Sequence, residues 1–252
     1  MSDRKLAGRV ALITGASRGL GRAIATAFAA EGASIALVAR DLEKLNETAS
    51  AVRNAGGEAE VFRADVSDEA QVLRLETDVI TRFGGLHILI NNAGVNLRKP
   101  ITDFTLEEWR RIIDTNLVAA FLTCRAFVPH MKRGGYGRII NLTSTMSHVA
   151  LPGRTPYCAS KSGLLGFTKA LALELAPDGI TVNGISPGPF ATEMNTVLMQ
   201  DEEVNRQFMA KVPLGRWGKV EDVGRLAVWL CSEEAGFVTG TDVLIDGGWC
   251  AQ

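Results

Sequence analysis

Apolar residues occur along this chain in two kinds of run. Short, nearly continuous stretches lie near residues 9 to 14, 34 to 39, 59 to 63, 87 to 91, 137 to 143, 180 to 185 and 242 to 245. Between them, longer segments repeat apolar positions at helical spacing. A strand buried on both faces reads as a continuous apolar run. Helices alternating with such strands give right-handed βαβ crossovers and a parallel sheet covered on both sides. The pattern therefore predicts a doubly wound α/β fold in a single domain over residues 1 to 252. Ligands of such sheets bind beyond the carboxyl ends of the strands, and Gly15, Asn91, Ser144 and Pro187 fall at those ends.

The first apolar run, Gly8 to Thr14, enters Gly15-Ala16-Ser17-Arg18-Gly19-Leu20-Gly21 and then an alanine-rich helical stretch. Glycines at a strand-to-helix turn let the backbone approach a pyrophosphate, and the free amides and dipole of the helix start favour its charge. The spacing G-x-x-x-G-x-G departs from the G-x-G-x-x-G fingerprint of dinucleotide sites, so the turn alone leaves the ligand open. A second constellation is Tyr157 with Lys161, thirteen residues beyond Ser144. On a helix, positions i and i+4 share a face. An ammonium beside a phenol favours phenolate and brings its pKa from about 10 toward a working range for proton transfer. A plain surface pair on a helix is the competing reading of Tyr-x-x-x-Lys.

Taken in order, these motifs closely resemble the short-chain dehydrogenase/reductase family over essentially the whole chain. Thr14 to Gly21 matches its cofactor turn and Asn91-Asn92-Ala93-Gly94 its fourth-strand motif. Asn116, Ser144, Tyr157 and Lys161 match its catalytic tetrad, and Pro187-Gly188 and Asp246-Gly247-Gly248 its later motifs. The resemblance implies a Rossmann-like, seven-stranded parallel sheet in the order 3-2-1-4-5-6-7 and an oxidoreductase that interconverts a ketone and a secondary alcohol. It implies that Ser144 holds the substrate oxygen and that Tyr157 transfers the proton. Lys161 would depress the Tyr157 pKa and bind the nicotinamide ribose, while Asn116 positions a water linking Lys161 to solvent. Cofactor contacts are implied for Gly15, Ser17, Arg18, Gly19, Leu20, Gly21, Arg40, Asp65, Val66, Asn92, Ala93, Gly94, Pro187, Gly188 and Thr192, together with Tyr157 and Lys161.

Residues at the second strand end bear on which nicotinamide is used. A carboxylate there would bond the adenosine ribose and repel a 2′-phosphate, for which arginine is suited. Ala39 takes the acidic place, Arg40 follows it, and Arg18 adds a second cation. NADP(H) is the expected cofactor, with NAD(H) possible. The competing reading pairs Arg40 with Asp41 or Glu43 and leaves Arg18 in solvent.

Composition narrows the field without identifying the protein. A formal net charge of −1 with interleaved signs carries no polyanion signature, so no nucleic acid is expected. The first residues lack the apolar core of a signal peptide, and no charge-free apolar run reaches membrane-spanning length. A cytoplasmic protein without a membrane partner is expected. Cys124, Cys158, Cys231 and Cys250 are scattered and fit reduced thiols, and the histidines show no ligand spacing, so no metal is expected.

Helical stretches at about 106 to 131 and 156 to 176 are apolar around most of their circumference. A single sheet covers only one side, so a homo-oligomer is expected; the family resemblance implies a tetramer. Pocket walls are expected from Thr145 to Pro156, with Met146, His148, Leu151 and Arg154. A stretch at 188 to 212 is expected to be either a substrate lid or a docked helix, with Phe190, Met194, Leu198, Met199, Phe208 and Met209 on its apolar side. Arg154 would either receive an anionic substrate or lie exposed on its loop. Gly215-Arg216-Trp217-Gly218 and Met146-Ser147 resemble gluconate 5-dehydrogenases and related sugar-acid or polyol members. The alternative is a 3-oxoacyl-carrier-protein reductase, in which basic residues beside the site entrance dock an acidic carrier. Asp178 occupies a place where those enzymes often have Arg, though Lys132 and Arg133 are near. A nicotinamide-sensing regulator on a dead scaffold is a remote third reading, set against the intact tetrad.

Overall fold

The structure, a computed structural model, describes residues 4–251. The side chains of Arg133, Met194 and Leu198, and the first three residues of the chain, lie outside that description. The elements follow in order: β1 (Val10–Thr14), α1 (Gly19–Ala30), β2 (Ser34–Ala39), α2 (Leu42–Asn54), β3 (Glu58–Arg63), α3 (Glu69–Phe83) and β4 (Ile88–Asn91). Then come α4 (Leu106–Ile113), α5 (Ala119–Met131), β5 (Gly137–Leu142), α6 (Thr155–Leu175), β6 (Ile180–Pro187), α7 (Thr196–Gln200), α8 (Glu202–Met209), α9 (Val220–Cys231) and β7 (Asp242–Ile245). The strands pair in parallel in the order β3-β2-β1-β4-β5-β6-β7, as expected from the sequence.

Side chains alternate across each strand, and the alternation builds two cores. Ala11, Ile13, Ile35, Leu37, Ile88 and Ile90 face one helical layer, where α1 packs on α2 and α9. Val10, Leu12, Ala36, Val38, Leu89 and Ile139 face the other, formed by α3, α5 and α6. Both faces are therefore apolar, which is why the strands read as continuous runs. Helix starts are set locally. Asp41 and Asp68 accept from the amides of Lys44 and Gln71, and Thr105 and Glu108 form a reciprocal capping box at α4.

Between α4 and α5 the helix widens into a single π turn, Asp114–Val118, that places Asn116 toward the strand ends. Leu106 to Met131 is thus one 26-residue helical run, with half of its most apolar window buried in the fold. Phe121 on α5 and Leu173 on α6 remain 44% and 79% exposed; these are the helices whose outer faces the sequence leaves apolar.

The approach of α9 to α1 depends on Gly224, where a Cβ would lie 3.0 Å from both the Ala23 carbonyl oxygen and the Ala27 Cβ. Leucine at this position must push the helices apart, at a cost of about 1–3 kcal/mol of overpacking. Gly224→Leu is expected to lower the thermal midpoint by several degrees; an unchanged melt would show that α9 can move off α1 freely.

Candidate active site

The strand ends converge on a cavity of about 980 Å³ that runs from Ser17, Arg40 and Asp65 to Ser144, Tyr157 and Lys161. Its organising contact joins the ends of β1 and β4. The Thr14 hydroxyl accepts from the amides of Asn92 and Ala93, both at 3.0 Å, and donates to the Ile90 carbonyl. The Asn92 side-chain amide reaches back to the carbonyls of Thr14 and Gly15 at 2.9 and 3.1 Å. Just beneath, Asn91 donates to Asn141 at 2.9 Å and accepts from Thr123 at 2.7 Å, and Asn141 donates to Thr168. Each of these buried polar groups is satisfied by a neighbour, so the network fixes β4 against β5, α5 and α6.

The glycine turn fits a dinucleotide. Gly15 adopts φ +64°, and a Cβ there would meet the Ala93 Cα at 2.9 Å. At Gly21 a Cβ would lie 2.4 Å from the Gly15 carbonyl oxygen. Gly19, at φ +54°, opens onto free space, with Thr192 at 3.8 Å. Arg18, the N-cap of α1, puts no side chain on the first-turn amides, and that turn carries no acidic residue. These amides and the helix dipole suit a pyrophosphate. Ser17, Leu20, Val66, Gly94, Pro187 and Gly188 also line the cavity.

The two cations on the adenosine side are engaged, though not as the competing sequence reading has it. Arg40 pairs with Asp65 at 3.3 Å rather than with Asp41 or Glu43, and Arg18 pairs with Glu193 at 2.6 Å rather than standing free in solvent. Burial raises the Asp65 pKa, but hydrogen bonds from Ser67 and the charge of Arg40 outweigh it and hold the carboxyl below its ordinary value.

In the catalytic half, β5 delivers Ser144, whose side chain accepts from the Met146 amide at 3.1 Å. Tyr157 and Lys161 lie one turn apart on α6, but the expected pairing is modified. The Lys161 stem carries its ammonium past the phenol, 5.8 Å from the ring centroid, to donate to the Leu142 carbonyl at 2.5 Å. Burial lowers the Lys161 pKa to about 8, with Asp242 pulling it back up. Burial also raises the Tyr157 pKa; a hydrogen bond with Ser144 and the charges of Arg154 and Arg98 oppose it.

Asn116 is held by three hydrogen bonds. Its side-chain oxygen accepts from the Val95 amide at 2.8 Å, and its nitrogen donates to the Val95 carbonyl and to Ser160, both at 3.0 Å. The side chain thus braces the loop after β4 against α6, and its oxygen keeps a second acceptor position.

The cavity wall carries Arg154 and one group that sequence reasoning passed over, Asn96. Arg154, on which two readings stood open, is half-buried and lines the cavity; burial and the neighbouring charge of Arg98 lower its pKa. Asn96 lines the same wall, and its buried side-chain oxygen has no hydrogen-bond partner among the described residues. The stretch after β6 both docks and lines the site. Phe190 is buried, and Phe208 stacks on Trp217 and meets Trp249 at ring-centroid distances of 5.6 and 4.9 Å. Lys132 and Asp178 pair at 2.8 Å at the amino ends of β5 and β6, the far end of those strands from Ser144. No group of metal-binding side chains occurs among the described residues, and the four cysteines are free.

A sheet in this order with a glycine turn at β1 and a Ser-Tyr-Lys cluster at the ends of β5 and α6 defines a nicotinamide-dependent class of oxidoreductase. A family model described as enoyl-(acyl carrier protein) reductase matches residues 15–250. The chain is 38% identical to gluconate 5-dehydrogenase of Gluconobacter oxydans over 96% of its length and 95% of the relative's. It is 41% identical to 3beta-hydroxysteroid dehydrogenase 1 of Eggerthella lenta, with 96% and 94% covered. It is 37% identical to the 3-oxoacyl-[acyl-carrier-protein] reductase of Haemophilus influenzae, with 96% and 98% covered. Among solved structures, the gluconate 5-dehydrogenase of Burkholderia cenocepacia in complex with NADP and tartrate superposes with a TM-score of 0.95 at 36% identity, covering 99% of this chain and 98% of that one. The chain belongs to the short-chain dehydrogenase/reductase family and is an oxidoreductase of that family.

Gly21→Ala forces a methyl group into the Gly15 carbonyl. Strain of about 1–3 kcal/mol corresponds to dinucleotide binding weakened by ~5- to ~150-fold. Fluorescence titration of the reduced cofactor reads this directly, and binding equal to wild type would remove the turn from the site.

Proposed function

We propose that the protein is an NADP(H)-dependent oxidoreductase that interconverts the ketone and secondary alcohol of a small polar substrate of the sugar-acid type. The observation that carries this reading is the placement of Arg154 in the cavity wall, with Arg98 close enough for both charges to act on Tyr157. Two cations beside the reacting group suit a substrate that carries its own carboxylate. The unpaired Asn96 oxygen offers an acceptor for a substrate hydroxyl. The relative from Burkholderia cenocepacia, crystallised with NADP and tartrate, supports the same chemistry.

In this reading Ser144 orients the substrate oxygen and Tyr157 exchanges a proton with it, while Asn116 holds the wall behind them. The nicotinamide, when bound, gives or accepts the hydride. Arg18 and Arg40 meet the 2′-phosphate, and Lys161, one turn from Tyr157, is the cation of the proton-transfer pair and would bond the nicotinamide ribose. Asp178, paired with Lys132 at 2.8 Å, stands where carrier-docking enzymes often have Arg, which counts against docking of an acidic carrier. An intact Ser144, Tyr157 and Lys161 counts against a regulator without turnover.

Three measurements test these assignments. Tyr157→Phe should lose ~10²–10⁴-fold in kcat while keeping cofactor affinity; retained turnover would end the assignment. Wild type should reduce 5-ketogluconate with NADPH in preference to NADH, and Arg154→Ala should raise KM for that substrate by ~10- to ~150-fold, the worth of a charge-assisted hydrogen bond. Turnover of an acetoacetyl thioester with no response to the keto acid would instead favour the carrier-protein alternative.

We also propose that the outer faces of α4–α5 and α6 join copies of this chain in a homotetramer. Light scattering at micromolar concentration should give the tetramer mass, and Leu173→Asp should lower it; a monomeric wild type would refute the assembly.

A further inference from the structure

Behind the catalytic residues lies a buried acid that the roles above do not use. Asp242 opens β7 opposite Gly184 of β6, and its side chain is 3% exposed. Its carboxylate accepts from Thr143 at 2.6 Å and from Ser186 at 2.7 Å, and the imidazole Nε2 of His148 lies 2.7 Å from the same group. Space for it is made by the backbone, since a Cβ on Gly184 would stand 2.2 Å from the Asp242 Oδ1. A buried carboxylate is costly unless it is hydrogen-bonded, and partners from three different segments surround this one, the Thr143 hydroxyl being shared with the Ile185 carbonyl at 2.7 Å.

Two of these segments lead to the reacting groups. Thr143 immediately precedes Ser144 in the chain. His148 closes the short helical turn that follows Ser144, and Ser147 in that turn donates to the Lys161 carbonyl at 3.0 Å. Lys161 donates to the carbonyl of Leu142, the residue before Thr143.

We propose that Asp242 is a positioning residue for the reaction, its buried carboxylate serving as the counter-charge of Lys161 and as the clamp on both flanks of Ser144. The charged and titratable groups around this pair are few. His148 faces Asp242 from the turn after β5, and Tyr157 and Cys158 lie on the helix that carries Lys161. Arg154 and Arg98 stand at the mouth on the phenol side. Facing the carboxylate, β5 and β6 contribute only the uncharged Thr143, Gly184 and Ser186. Asp242 is the group whose charge favours the ammonium against the effect of burial. Its removal therefore moves the loss of the Lys161 proton to lower pH.

The inference rests on the proposed reading of Lys161 as the cation of the proton-transfer pair. Its test is the pH profile of kcat/KM for wild type, Asp242→Asn and Asp242→Thr, with thermal melts alongside. The basic limb of both variants should move down by about one pH unit, with activity at pH 8 reduced about 5-fold. His148→Ala changes a partly exposed residue and keeps the carboxylate. It should leave the limb in place and lower kcat several-fold by loosening the Ser144 segment. Folded Asp242 variants whose limb matches wild type would overturn the proposal, because a carboxylate that merely ties β7 to the sheet alters the melt and not the limb. If neither Asp242 variant folds, His148→Ala decides alone, and an unaltered kcat overturns the clamp. Activity surviving in Lys161→Met would overturn both this inference and the reading beneath it, whereas an inactive Lys161→Met with an unmoved Asp242→Asn limb overturns the inference only.

Discussion

The site depends on one constraint, the seam where the end of β1 meets the end of β4. A single hydroxyl, that of Thr14, receives two consecutive amides of the neighbouring strand end, while Asn92 returns two bonds to the glycine turn. This reciprocal seam sets how far Gly15 stands from Ala93, and so the width of the crevice between the halves of the sheet. A parallel sheet diverges at this switch in strand order, leaving backbone groups without ladder partners. Filling those vacancies with side chains from the strands themselves makes the crevice rigid before any ligand arrives. Small residues are demanded there for the same reason, since Gly15 and Gly21 face atoms closer than any side chain tolerates.

Two charge environments are built on that rigid crevice. Inward, Lys161 is shut off from water between α6 and β5, its ammonium held by a carbonyl and by the field of Asp242. Outward, Arg154 and Arg98 set a positive potential at the mouth. Tyr157 stands between the two, with its hydroxyl turned toward Ser144. Burial raises its pKa above the ordinary phenol value, against the hydrogen bond with Ser144 and the charges of Arg154 and Arg98.

Much of this was legible in the sequence. The seven apolar runs agree with the observed strands to within two residues, the inner five being buried on both faces and the edge strands β3 and β7 only partly. The glycine turn and the Ser144, Tyr157 and Lys161 spacing mark local geometry, which a linear pattern preserves. What escaped is set by tertiary contact. Nothing in the spacing tells that Lys161 reaches past Tyr157 to Leu142, because the direction of a long side chain depends on which strand end lies beneath the helix. Asp242 and Thr143 are 99 positions apart, and only the β5–β6–β7 register joins them. Asn116 could be placed by motif, but its three bonds depend on the π turn that aims it.

The ion pairs on the adenosine side carry a consequence of their own. Arg18 is held by Glu193 from the segment after β6, and Arg40 by Asp65 from the end of β3. A phosphate reaching these guanidiniums does not meet bare cations; it takes the place of a carboxylate already seated there. In the proposed reading, selection between dinucleotides at this edge is an exchange of one anion for another, with Glu193 and Asp65 the carboxylates that a 2′-phosphate must outcompete.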